Sequence, residues 1–129
     1  MSSRSLLTLI IAALLCVAIG IGTLLPTGAL PAAPGSDKMQ HFGAFALVAA
    51  LITLLRAGWI VPVALILMVY GGLIELIQPY VGRSREFGDF IAGSLGVLAG
   101  SVSALLVHQL ASRLIRRRSD AAPAEAPIR

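Results

Sequence analysis

Apolar residues occupy this chain in four long blocks, and polar residues gather in the gaps between them. The first block runs from Leu6 to Leu25, twenty residues without a charge. At 1.5 Å of rise per residue it reaches roughly 30 Å, the thickness of a hydrocarbon core. It is longer than the apolar stretch of about 7–15 residues in a cleavable signal, so a retained helix is expected over 6–25. Three prolines and two glycines then fall within Pro26–Ser36, which marks a loop. Ser36 or Asp37 can cap the helix that follows.

The second block predicts a helix over 38–55, short enough that its first turn lies at the membrane interface. Arg56–Trp59 reads as a tight turn, with Trp59 suited to the interface. A third helix is expected over 60–80, where Pro62 is tolerated in the first turn and Tyr80 is the aromatic at the far end. Val81–Gly88 reads as a charged loop, and the fourth helix is expected to run from about residue 87 to 110. The pattern therefore predicts an all-α membrane protein, a four-helix transmembrane bundle filling residues 1–112, with 113–129 a basic and then disordered tail.

Composition sharpens this picture. The chain has 129 residues, 57% hydrophobic and 12% charged, against about a quarter charged in soluble domains. So small a protein could not cover its surface in water with that supply. Cys16 is the one cysteine and sits in an apolar run, as a small hydrophobe would. The net charge of +4 does not indicate nucleic acid, because the basic residues cluster at Arg113–Arg118 with no interleaved aromatics for base stacking.

Four helices place both ends on one side of the membrane. That side carries seven basic residues (Arg4, Arg56, Arg113, Arg116, Arg117, Arg118 and Arg129), and the other carries three, Lys38, Arg83 and Arg85. The positive-inside rule then puts both termini in the cytoplasm. On the fourth helix Gly88, Ala92, Gly96, Gly100 and Ala104 recur every fourth position, a stripe that permits close helix approach. Ala12, Cys16 and Gly20 form a shorter stripe on the first helix.

The remaining polar residues converge at one depth, near the outer ends of the helices: Asp37, Lys38, His41, Glu75, Gln78, Arg83, Arg85 and Asp89. Asp37 and His41 share a helix face, as do Glu75 and Gln78. Glu75 lies about 7 Å inside the helix end, and an ionised carboxylate facing lipid there costs several kcal/mol. It is expected to face the interior, with Arg83, Arg85, Lys38, His41 and the Gln78 amide as candidate partners. Two uses of the cluster stand side by side: a polar lock between helix ends, or a site where arginines hold an anionic headgroup. No metal or other cofactor is expected. Asp37, His41, Glu75 and Asp89 could supply ligands, but the chain has no His-Glu-x-x-His motif or cysteine pair. No nucleophile motif is present either, so an enzyme is not the expectation.

Asp37-Lys38-Met39-Gln40-His41 resembles the Asp-Lys-x-x-His signature of VanZ-like membrane proteins. Glu75-Leu76-Ile77-Gln78 is similar to that family's Glu-x-x-Gln. Gly82-Arg83-Ser84, Asp89 and Gly96 to Gly100 resemble its Arg loop and glycine-rich last helix. The resemblance covers about 37–100, in order and spacing. It departs at Gly93, where many members carry Asn. It implies a multipass protein of the bacterial cytoplasmic membrane, in a family linked by name to glycopeptide resistance and without a settled activity. The expected function is an envelope protein whose outer cluster binds an anionic lipid or cell-wall intermediate. The alternatives are a small proton-coupled transporter, and a non-catalytic accessory subunit that uses the glycine stripe to hold a membrane partner.

Overall fold

The computed structural model describes residues 2–25 and 36–121. It contains four helices, α1 (Ser3–Leu24), α2 (Asp37–Leu55), α3 (Ile60–Ile77) and α4 (Phe87–Ala121), with short 3₁₀ turns at Ala57–Trp59 and Gln78–Val81 on either side of α3. All four are long and apolar enough to cross a membrane. Most of the loop expected at Pro26–Ser36 lies outside the described residues, as does the end of the tail.

The helix limits follow local chemistry. Ser2 and Ser36 cap α1 and α2, each side-chain oxygen accepting from the backbone N–H three residues on. The third helix ends earlier than the expected residue 80. Pro79 has no N–H to continue the ladder, so the chain tightens into the 3₁₀ turn and then reverses at Gly82, whose φ of 78° lies in the left-handed region. The fourth helix is longer than expected. It passes through the basic segment to Ala121, the last described residue, rather than ending near residue 110. No proline or glycine interrupts Ser101–Ala122, so nothing in that stretch breaks the helix.

The core is small and apolar: Phe45, Val48, Ala49 and Ile52 of α2, Leu67 and Ile74 of α3, and Val97 of α4. The outward faces carry Leu47, Leu65, Ile66, Val69 and Val102, all largely exposed. An apolar exterior on this scale suits lipid rather than water.

Lipid tails provide no hydrophobic drive between helices, so close packing must hold them together. The small-residue stripe of α4 provides that contact against α2 of the same chain. A Cβ at Gly96 would run into the Phe42 carbonyl, and one at Gly100 into the Ala46 carbonyl. Gly93 and Gly71 both make room for the Phe45 ring. The first helix is held more lightly, with Thr8 and Ile19 its buried residues. Its tie to α3 is the Tyr70 hydroxyl, which donates to the Cys16 carbonyl at 2.6 Å beside Gly20. At the opposite end from the polar cluster, Arg56 donates to Ser2 and Ser5 and lies over the Trp59 ring.

Gly96→Ala and Gly100→Ala should each destabilise the protein by about 1–3 kcal/mol, because backbone rather than a flexible side chain blocks the added methyl. Gly43→Ala, on α2 with open space around it, should be neutral or stabilising by up to about 1 kcal/mol. Thermal unfolding in detergent separates the two classes, and equal effects at Gly43 and Gly96 would contradict the packing described.

Candidate functional site

The polar cluster sits where α2 and α4 begin and α3 ends. Its centre is a group of three side chains, one from each helix: His41, Glu75 and Asp89. Their exposures are 4%, 4% and 3%. One ligand-type atom from each lies within 4.8 Å of the others. The approach of α4 to α2 sets His41 opposite Asp89, and α3 brings Glu75 in from the side.

Each member is oriented by a second contact. His41 Nδ1 lies 3.1 Å from the Asp37 carbonyl. A carbonyl only accepts, so Nδ1 carries the proton, and in the neutral ring Nε2 is left as an acceptor. Glu75 Oε2 accepts from the Glu86 backbone N–H at 3.1 Å. Asp89 Oδ1 stands 3.6 Å from the Lys38 ammonium, which is more tightly engaged by Glu86 at 2.7 Å. His41 Nε2 faces Glu75 Oε1 at 3.8 Å, and His41 Nδ1 faces Asp89 Oδ2 at 3.9 Å.

The other predicted residues are distributed around this centre. Arg83 donates to Asp37 Oδ2 at 3.0 Å and to the Leu25 carbonyl at 3.4 Å. It therefore joins the loop to α2 and to the end of α1, and does not reach Glu75. Gln78 is buried, but its amide donates to the Thr23 carbonyl of α1 at 3.3 Å rather than to Glu75. Lys38 lies across Gly88, its stem occupying the space a side chain there would take. Arg85 is in none of the described ion pairs; it lines a groove between α3 and α4 together with Glu75. Of the partners expected for Glu75, the structure brings up His41 alone.

Sequence reasoning missed Glu86. Its carboxylate binds Lys38 and its backbone N–H holds Glu75, so the loop residue and the membrane carboxylate belong to one network. The one available signal was its position three residues before Asp89, at the start of the fourth helix. The Asp89 N–H bonds the Glu86 carbonyl at 2.9 Å.

Comparison with known protein families, curated proteins and solved structures finds no match.

The cluster thus has an outer ring of paired side chains and a buried centre. Gln78→Leu should cost about 1–3 kcal/mol, because it takes the amide donor from the half-buried Thr23 carbonyl. Asp37→Ala, at a half-exposed ion pair, should cost about 1 kcal/mol or less. Unfolding of the two variants in matched detergent tests this order, and a larger loss at Asp37 would contradict it.

Proposed function

We propose that this chain is a VanZ-like multipass protein of the bacterial cytoplasmic membrane, with both termini in the cytoplasm. On this reading its loop end faces outward and binds an anionic amphiphile, a membrane lipid or a lipid-linked cell-wall intermediate. The observation that carries the reading is Arg85, a cation outside the described ion pairs, at an apolar groove of about 360 Å³. Val69, Gly72, Leu73, Leu76, Phe87 and Phe90 form its walls. That volume lies in the range of small-molecule sites, roughly 300–1,000 Å³. A headgroup phosphate or carboxylate would meet the guanidinium, and an alkyl chain would lie along α3 and α4.

This reading shifts the weight from Arg83 to Arg85. Both were expected to hold an anion, but the Arg83 side chain is 14% exposed and already bonded to Asp37 and Leu25. The same pairing gives Arg83 a structural role, so the lock and the binding site coexist in neighbouring residues. The accessory-subunit alternative loses its motivation, because Gly96 and Gly100 are covered by α2 of the same chain.

A small proton-coupled transporter is the second reading, favoured by the buried His41, Glu75 and Asp89. Against it, Phe45, Val48, Ala49, Leu67 and Val97 pack the middle of the bundle with apolar side chains. Proton-driven uptake in liposomes that disappears in Glu75→Gln would restore it.

The headgroup reading makes two measurable statements. Phosphatidylglycerol, but not phosphatidylcholine, should raise the melting temperature of the wild type. Arg85→Ala should weaken that binding roughly tenfold, the loss of one charge-assisted hydrogen bond, while Arg117→Ala leaves it unchanged. Equal lipid responses in wild type and Arg85→Ala would remove the proposal. For orientation, Ser84→Cys in a Cys16→Ser background should react with a membrane-impermeant maleimide on intact cells, and Ser112→Cys should not. The reverse labelling would invert the topology.

A further inference from the structure

At the centre of the cluster, acceptors face acceptors. His41 Nε2, Glu75 Oε1 and Asp89 Oδ1 are buried, and none has a hydrogen-bond partner among the described residues. With the proton on Nδ1, toward the Asp37 carbonyl, the unprotonated Nε2 stands 3.8 Å from a carboxylate oxygen of Glu75. Buried polar atoms left unpaired in this way are costly. Here three of them belong to side chains from three different helices, each of which brings a ligand-type atom within 4.8 Å of the others.

The charge balance has the same sense. Glu75, Glu86 and Asp89 bring three carboxylates to this spot, and the Lys38 ammonium is the cation in the described contacts with them. With the imidazole neutral, an ionised group of this kind retains two negative charges. One divalent cation would neutralise it and supply an electron-pair acceptor to all three orphaned atoms.

We propose that His41, Glu75 and Asp89 form a binding site for a divalent first-row transition metal ion, of which zinc is the probe. An imidazole nitrogen with two carboxylate oxygens suits zinc or manganese. Calcium and magnesium, which take oxygen ligands, would not use the histidine. At bond lengths of about 2.0–2.2 Å, tetrahedral ligands stand roughly 3.3–3.6 Å apart. One ligand-type atom from each side chain already lies within 4.8 Å of the others, so side-chain rotation at His41 and Asp89 has to bring Nε2 and the carboxylate oxygens to that spacing.

The supporting shell is already built. Metal-bound histidines donate their other ring N–H to a carbonyl or carboxylate, as His41 Nδ1 does to Asp37. The Glu86 N–H fixes one oxygen of Glu75 and leaves the other free to ligate. Three protein ligands leave a coordination position open. Glu75 also lines the α3–α4 groove, which gives that position a route to an incoming oxygen donor. The sequence offered these three, with Asp37, as possible ligands, but no local motif joins them, because they come one from each of three helices.

The test uses untagged, full-length protein in detergent with no added lipid, so the lipid proposal can fail while this one stands. Protein stripped with a chelator is loaded with Zn²⁺, desalted and assayed for metal by mass spectrometry. The wild type should retain one zinc per chain and melt at a higher temperature than the stripped form. His41→Gln and Asp89→Asn should weaken retention at least tenfold, and His108→Gln should not. X-ray absorption on the zinc-loaded wild type should show nitrogen and oxygen neighbours, with the outer-shell signal of a single imidazole, a readout that stands even where a variant fails to fold. Failure of the wild type to retain zinc would overturn the site. So would retention unaffected by His41→Gln and Asp89→Asn, or an absorption spectrum with sulfur or two imidazoles around the metal.

Discussion

The approach of the α4 backbone to the α2 backbone is the contact on which the rest of the structure depends. Gly96 and Gly100 lie against the Phe42 and Ala46 carbonyls, a closeness that no side chain would permit. In lipid this contact has to come from packing, since apolar surface gains nothing by leaving hydrocarbon for another helix. Its consequence is chemical as well as mechanical. His41 is one residue before Phe42, and Asp89 is two turns before Gly96. Holding the glycines against α2 therefore fixes the distance between an imidazole and a carboxylate at one end of the bundle. The site is the polar end of the same seam that binds the helices.

Around that seam the fold divides its charges by task. Arg83 with Asp37, Lys38 with Glu86, and Gln78 with the Thr23 carbonyl join helix ends and loop. These contacts shield the centre and contribute modestly, as half-exposed ion pairs do. His41, Glu75 and Asp89 form the buried centre, where His41 and Glu75 are each held by one hydrogen bond and all three keep a buried atom without one, as Gln78 Oε1 does at the edge. Arg85 is in none of the described ion pairs and lines an apolar groove that Glu75 also borders. The ion-paired helix ends, the proposed cation site and the arginine proposed to meet an anion thus occupy adjacent places.

Much of this was legible in the sequence. Four apolar runs of membrane length require four helices, because backbone in lipid must satisfy its own hydrogen bonds. The cost of a lipid-facing charge requires Glu75 to turn inward. The spacing of Gly88 to Ala104 requires one smooth helix face. What stayed hidden depended on contacts distant along the chain. Gln78 and Glu75 share a face of α3 by spacing, yet Gln78 turns to α1, because Thr23 offers a carbonyl there. Arg83 was as good a candidate anion-binder as Arg85 until Asp37 was found against it. Glu86 read as an ordinary loop charge because its decisive group is a backbone N–H, which no side-chain pattern reports. The length of α4 was underestimated for a different reason. Charge ends a membrane span but not a helix, and Leu114 and Ile115 continue among arginines with nothing to break the turn.

The packing of α2, α3 and α4 sets the His41 ring against two carboxylates inside the bundle. A solid-state NMR measurement in lipid bilayers tests it most directly, using ¹⁵N-labelled histidine and ¹³C-labelled carboxylates in a His108→Gln background. The ring nitrogens of His41 should show strong dipolar dephasing from carboxylate carbons, consistent with nitrogen–oxygen distances of 3.8 and 3.9 Å to Glu75 and Asp89. That dephasing should weaken without vanishing in Glu75→Gln and in Asp89→Asn. Absence of dephasing in the well-folded protein would mean that the three helices do not bring these groups together, and the account of the site would fall with it.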